Sequence, residues 1–134
     1  MASAEIQEVE SLSYVEYFDN GDYAFVTITA FYNTSRSTVH GSKTFSYRNS
    51  DDVVQWTYTL EGDFYYNGSS SECTNVSDGY SISNDNWHLN NHHCSKSGNT
   101  AYGTVKMDYR ILGITINSVT RDLSLSCSSN GTLS

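Results

Sequence analysis

The sequence has little positive charge, no proline and no long apolar run. Seven Lys and Arg residues stand against 15 Asp and Glu, which gives the 134-residue chain a formal net charge of −8. Such a chain repels phosphate backbones and anionic bilayers, so nucleic acid and anionic membranes are poor partners. No segment approaches the roughly 20 apolar residues that span a bilayer, and we expect no membrane insertion.

Motifs of the common enzyme classes are also missing. The chain has no G-x-S-x-G nucleophile elbow, no H-E-x-x-H zinc motif and no glycine-rich phosphate loop. Glu61 and Asp63 share one strand face, as the acids of a glycosidase can, but solvent-facing acids are far commoner. We therefore predict that the protein is not an enzyme, with a secreted toxin or enzyme as the lesser alternative.

Residues 53–66 carry the clearest pattern in the chain. Side chains on a strand alternate between two faces, so an apolar residue at every second position predicts one long, half-buried strand. A strand this amphipathic needs a second layer to cover it. The alternating positions are Val54, Trp56, Tyr58, Leu60, Gly62, Phe64 and Tyr66.

Further strands are predicted at 12–18, 23–32, 43–48, 100–111 and 114–127, and no segment sustains a helical period. Asn20-Gly21 between two apolar runs predicts a type I′ hairpin. Residues 72–99 are irregular, with Tyr80 and Trp87 as expected core anchors. The pattern predicts an all-β fold, an antiparallel β-sandwich of about seven to eight strands, with a small closed β-barrel as the alternative.

We expect two regions along the chain. Residues 1–11 are acidic and aperiodic and are predicted to be a flexible N-terminus. Residues 12–134 are predicted to form a single sandwich domain, since this length suits one core.

Three cysteines leave one unpaired in any oxidised form. Cys127 ends an alternating strand and Cys73 follows a Gly/Ser-rich turn, so we prefer a Cys73–Cys127 disulfide, which would indicate export. Ala2-Ser3-Ala4 matches the small-x-small pattern before a signal-peptidase cut and predicts a removed signal peptide. Cys94 is then free, buried or the link of an intermolecular dimer.

One cluster has metal-ligand chemistry. If residues 88–94 form a continuous strand, His88, His92 and Cys94 share a face and could approach Zn²⁺. The acidic turns at 19–22, 51–52 and 84–86 could hold Ca²⁺. No second Cys/His pair exists and turn formation explains the acids. We expect no cofactor, with Zn²⁺ and Ca²⁺ as weak alternatives.

The aromatic residues suggest binding. Tyr65 lies on the polar face of the 53–66 strand, and with Tyr102 and Trp87 it is a candidate ligand-binding residue, because these rings combine an apolar body with a polar tip. We predict a secreted, non-enzymatic protein that binds a glycan or a protein. The alternative is a β-barrel carrier that encloses a small ligand.

Short segments over roughly residues 40–134 carry a family resemblance. They are residues 41–45, 56–60, 64–68, 71–74, 95–99, 103–105, 112–113 and 125–134. In this order they resemble a group of small secreted proteins of Gram-positive, often gut-dwelling, bacteria that has no assigned function. The resemblance implies a secreted location and fits Cys73 and Cys127 as partners. Cys94 with His92 and His93 departs from the group's pattern.

Overall fold

The computed structural model describes residues 8–134, and this part of the chain forms eight antiparallel strands in two sheets. The all-β, two-layer fold is confirmed. The two sheets do not close on each other, so the alternative of a closed barrel is wrong. The strands are β1 (Glu8–Tyr17), β2 (Tyr23–Asn33), β3 (Thr38–Arg48), β4 (Val54–Tyr66), β5 (Ser71–Ile82), β6 (Trp87–Ser97), β7 (Thr100–Ile111) and β8 (Ile114–Ser126).

Each strand pairs with its neighbour in sequence, except across the β5–β6 connection. The first sheet has the order β1-β2-β3-β4-β5 and the second β6-β7-β8. Short connections and antiparallel pairing suit such a meander. One hydrophobic core lies between the sheets, and its largest fully buried side chains are Trp56, Tyr47, Tyr58, Phe45, Phe64, Leu60, Met107 and Leu125.

The alternation in β4 is confirmed. Trp56, Tyr58, Leu60 and Phe64 are buried between the sheets. Tyr58 crosses the core to the second sheet, where a Cβ on Gly103 would collide with the Tyr58 hydroxyl. Glycine at position 103 is therefore required for this close approach.

The segment predicted to be irregular contains two long strands, β5 and β6. Each lies at the edge of its sheet, and polar residues occupy most positions on both faces. An edge strand that is half solvated lacks the apolar period on which the prediction relied. Trp87 is a core anchor as expected, with 4% exposure, but Tyr80 is 44% exposed and that expectation is wrong.

Four β-bulges interrupt the ladders. Register shifts leave one residue without a partner at each site: Gln55 in β4, Thr74 in β5, Asn90 in β6 and Ile116 in β8. A bulge reverses which side chains face the core beyond it. In β4, β5, β6 and β8, the alternation of core-facing and solvent-facing side chains therefore changes phase at the bulge.

β1 begins at Glu8, four residues before the predicted start. Residues 8–11 therefore belong to a strand and not to the predicted flexible N-terminus. The remainder of that predicted segment, residues 1–7, lies outside the described residues.

Two hairpin turns differ from each other in backbone conformation. In the β1–β2 turn only Gly21 has positive φ (91°), and the Phe18 N–H donates to the Asp22 carbonyl (2.9 Å). The hairpin is confirmed, but it is a three-residue loop and the predicted type I′ turn is wrong. The two-residue β7–β8 turn has positive φ at both Leu112 (53°) and Gly113 (79°), as type I′ requires.

Leu112 should be a site where substitution stabilises the protein. A non-glycine residue in the left-handed region costs about 1–2 kcal/mol, and asparagine tolerates it better than leucine. Leu112 is 96% exposed, so its removal loses little burial. We expect Leu112→Asn to raise the free energy of unfolding by about 1 kcal/mol in urea denaturation. Leu112→Ala, which lacks the polar side chain that lets asparagine hydrogen-bond to the local backbone, is the control and should gain much less. Equal stability of the two variants would contradict the explanation.

Candidate functional site

A polar cleft lies at one end of the sandwich. In a meander alternate turns fall at the same end, which brings together the turns at 18–22, 49–53, 83–86 and 112–113. Between them is a cleft of about 370 Å³. It is lined by Asn20, Asp22, Asn49, Gln55, Asn84, Trp87, Tyr109, Ile116 and Asn117. We call it the end cleft.

Two bulges supply residues to the end cleft. Gln55 and Ile116 are the unpaired residues of β4 and β8, and both line it. The side-chain oxygen of Gln55, Oε1, accepts hydrogen bonds from Asn84 Nδ2 (2.7 Å) and Trp87 Nε1 (3.3 Å). Gln55 Nε2 donates to the Val53 carbonyl (3.0 Å). This buried glutamine therefore fixes one wall of the cleft.

Four asparagines of the cleft share one geometry. Each side-chain oxygen accepts a backbone N–H one or two residues further along the chain, at 2.9–3.0 Å. These local bonds hold the amide in one orientation. The Nδ2 groups of Asn49 and Asn117 have no hydrogen-bond partner among residues 8–134. The four asparagines are Asn20, Asn49, Asn84 and Asn117.

A second cleft of about 340 Å³ adjoins the first and shares Asn20 and Asn117 with it. Arg121 lies in this cleft, over the rings of Phe18 and Phe45 (5.6 Å from guanidinium carbon to each centroid). Arg121 also forms an ion pair with Glu16 of β1. Arg121, a charged residue among the apolar residues of β8, is therefore paired with an acid of β1.

The three aromatic residues predicted to bind ligand are far apart in the fold. Tyr65 follows buried Phe64 and points to the outer face of the five-stranded sheet, and Tyr102 points to the outer face of the other sheet. Trp87 lines the end cleft. The structure therefore does not bring Tyr65, Tyr102 and Trp87 into one patch.

The predicted metal ligands are also separated. The Asn90 bulge places Trp87 and Leu89 on the same face as His92 and Cys94, so exposed His88 lies on the opposite face. β6 is one strand, but its bulge breaks the regular alternation on which that prediction depended. Within residues 8–134 no group of three or more His, Cys, Asp or Glu side chains could hold a metal ion. This includes the three acidic turns, although all of them lie at the cleft end.

His92 and Cys94 instead lie beside the Asp78 carboxylate. Asp78 Oδ2 accepts hydrogen bonds from the Tyr58 hydroxyl of β4 (2.8 Å) and from His92 Nδ1 of β6 (3.0 Å). The bond from His92 ties β5 to the second sheet. Burial alone would raise the pKa of Asp78, but the bonds from His92 and Tyr58 outweigh it and the pKa is lowered. Burial and the Asp78 charge raise the pKa of the Cys94 thiol, which makes it a poor nucleophile.

The three cysteines are free thiols in this structure, so the predicted Cys73–Cys127 disulfide is not formed in it. The two residues are nevertheless neighbours. Cys73 N–H donates to the Gly98 carbonyl (2.8 Å) and Cys127 N–H to the Asn99 carbonyl (3.0 Å). Burial, and then the charge of Cys73, raises the pKa of Cys127 to about 11. Both thiols are buried in the core.

A second titratable cluster lies on the outer face of the first sheet. His40 Nδ1 is 2.7 Å from Asp63 Oδ1, and His40 Nε2 is 2.9 Å from Glu61 Oε1. Burial alone would lower the pKa of His40, but the hydrogen bonds with Asp63 and Glu61 outweigh it and raise the pKa above 6.5. Glu61 and Asp63 are thus bridged by an imidazole.

No protein-family model, no curated protein and no solved structure matches this chain. Among residues 8–134, no helix is long and apolar enough to cross a membrane.

Most residues of the end cleft were not singled out from the sequence. The sequence offers Asn20 and Asn84 only as turn formers or weak Ca²⁺ ligands, and it does not single out Gln55 or Asn117. The available signal is the Asn and Asp residues in the connections at 18–22, 49–53 and 83–86, since alternate turns of a meander share one end.

His40 predicts a stability loss at rising pH. Its folded-state pKa lies above 6.5, so its contribution is fully present below about pH 6.5 and is lost as pH rises through the folded pKa. We expect the free energy of unfolding to fall between pH 5.5 and 8.5, and the fall to shrink in His40→Gln. His88→Gln, on the other sheet, is the control. An unchanged pH profile in His40→Gln would contradict the assignment.

Proposed function

We propose that this protein binds glycans, without chemical turnover, through the end cleft. The observation that supports the proposal is the composition of the cleft wall: five amide side chains and one carboxylate beside Trp87 and Tyr109. Amides and carboxylates pair with sugar hydroxyls as donors and acceptors. Aromatic rings provide the apolar surface that the C–H face of a sugar ring needs.

The side chains of the end cleft are held in place before any ligand binds. Hydrogen bonds within the turns fix the asparagine oxygens, and Gln55 holds Asn84 and Trp87. A ligand then meets side chains that lose little further freedom, which favours affinity for a small polar molecule. The Nδ2 groups of Asn49 and Asn117, which have no partner in the described part of the chain, are donors for such a ligand.

The competing functions have less support. The carrier hypothesis depended on a closed barrel that would enclose a ligand, and the sandwich offers open clefts instead. A protein ligand, the other half of the sequence-based prediction, is less suited to a cleft of this size whose wall is mostly amides, because protein interfaces depend on large buried aromatic or Arg anchors. A toxin or enzyme would need a nucleophile or acid–base pair in the cleft, and Asp22 is its one titratable carboxyl.

The proposal places the protein outside the cell. The resemblance of residues 40–134 to secreted bacterial proteins supports this location, and so does the proximity of Cys73 and Cys127, which could form a disulfide in an oxidising compartment. A thiol with a pKa of about 11 reacts slowly once buried, so the disulfide would form during folding.

The glycan proposal predicts selective loss of binding in Asn117→Asp. Aspartate keeps the oxygen that caps Ser118 N–H but replaces the NH₂ donor. We expect glycans bound by the wild type on an array to lose about 1–2 kcal/mol, or roughly 5- to 30-fold in Kd, by calorimetry. Asn67→Asp is a matched control, since Asn67 caps Ser69 and Ser70 at the opposite end. Absence of glycan binding by the wild type, or an equal effect of both variants, would refute the proposal.

The disulfide proposal predicts one free thiol after oxidative refolding. Peptide mapping without reductant should join the peptides of Cys73 and Cys127, and a thiol assay should find only Cys94. The oxidised form should be more stable than the reduced form by about 4 kcal/mol in the chain-entropy description of a loop of roughly 50 residues. Three free thiols, or a bridge that includes Cys94, would contradict this proposal.

A further inference from the structure

The geometry points to a groove with two sugar subsites that takes an uncharged, linear oligosaccharide of at least two units. This inference rests on the proposed function and specifies its ligand class. The end cleft and the Arg121 cleft adjoin, and Asn20 and Asn117 line both. A single sugar in either cleft would leave the other, of about equal volume, unfilled.

Size supports two subsites. The clefts measure about 370 and 340 Å³, each near the lower limit of the roughly 300–1,000 Å³ typical of small-molecule sites. Each has its own half-buried aromatic ring: Tyr109 in the end cleft, backed by Trp87, and Phe18 in the Arg121 cleft, backed by Tyr47. The shared asparagines lie at the junction, where the linkage between two sugar units would pass.

Charge determines which sugars are accepted. Asp19 and Asp22 line the groove, and Asp51 and Asp85 lie in turns at the same end. The nearby cations are already matched, since Arg121 pairs with Glu16 and Arg48 with Asp52. The remaining field is negative and opposes uronic acids and sulfated sugars, most strongly at low ionic strength.

Chain-length dependence tests the inference. Neutral glucan, mannan and galactan oligosaccharides of one to six units would be titrated calorimetrically, together with uronic-acid counterparts. We expect affinity to rise about tenfold or more from one to three units and then to level off, and the acidic counterparts to bind at least about tenfold more weakly. Thr120→Lys should remove the gain with length, because Thr120 lines only the Arg121 cleft. Thr115→Lys, on the same strand but in neither cleft, carries the same charge and should keep the gain.

The outcomes separate the inference from the proposed function. If a neutral sugar binds but its affinity does not depend on length, or Thr120→Lys leaves the gain intact, the two-subsite groove is wrong and glycan binding stands. Equal binding of acidic and neutral sugars would overturn the charge selectivity. If no sugar in the series binds to the wild type, the inference and the glycan proposal both fail.

Discussion

The contact between Trp56 and Trp87 joins the two sheets at the cleft end. Their ring centroids are 6.1 Å apart, Tyr47 stacks on Trp56 at 5.2 Å, and Tyr109 lies 5.2 Å from Trp87. Each such pair contributes about 0.5–1.5 kcal/mol beyond the burial of its area. The aromatic column begins in the first sheet, crosses the core and ends at residues that line the end cleft. The shape of the cleft therefore depends on core packing.

The bulges connect this packing to the cleft surface. A regular β4 would pair every residue from Val54 onwards, and Gln55 would point away from the core side that holds Trp56. Because Gln55 is unpaired, its buried amide reaches Trp87 and Asn84. The Ile116 bulge shifts the alternation of side chains in β8 and places both Ile116 and Asn117 in the cleft wall. Bulges commonly redirect side chains at functional sites in this way.

Alternation in the sequence was sufficient to predict the core strands and insufficient to predict the edge strands β5 and β6. β4 and β7 are covered on one face, so their period of two is visible, and the all-β sandwich follows from it. β5 and β6 are edge strands with little burial, and nothing in their composition separates them from loops. The facing of His88 could not be predicted, because the Asn90 bulge depends on a hydrogen bond from Asn90 to Asp108 on the neighbouring strand. Local sequence does not contain that partner.

The same limit explains why the candidate site was missed. Its asparagines come from three turns and from β8, which are distant in sequence, and each of the three in turns alone has the ordinary role of an Asx turn. They become a site only because the meander places alternate turns at one end and the aromatic column holds the sheets at a fixed separation there. Core packing and cleft shape then have one origin, because Gln55 and Trp87 belong to the packed interior and also to the cleft wall. A cleft built in this way suits a small ligand of fixed shape better than a partner that requires the surface to adapt.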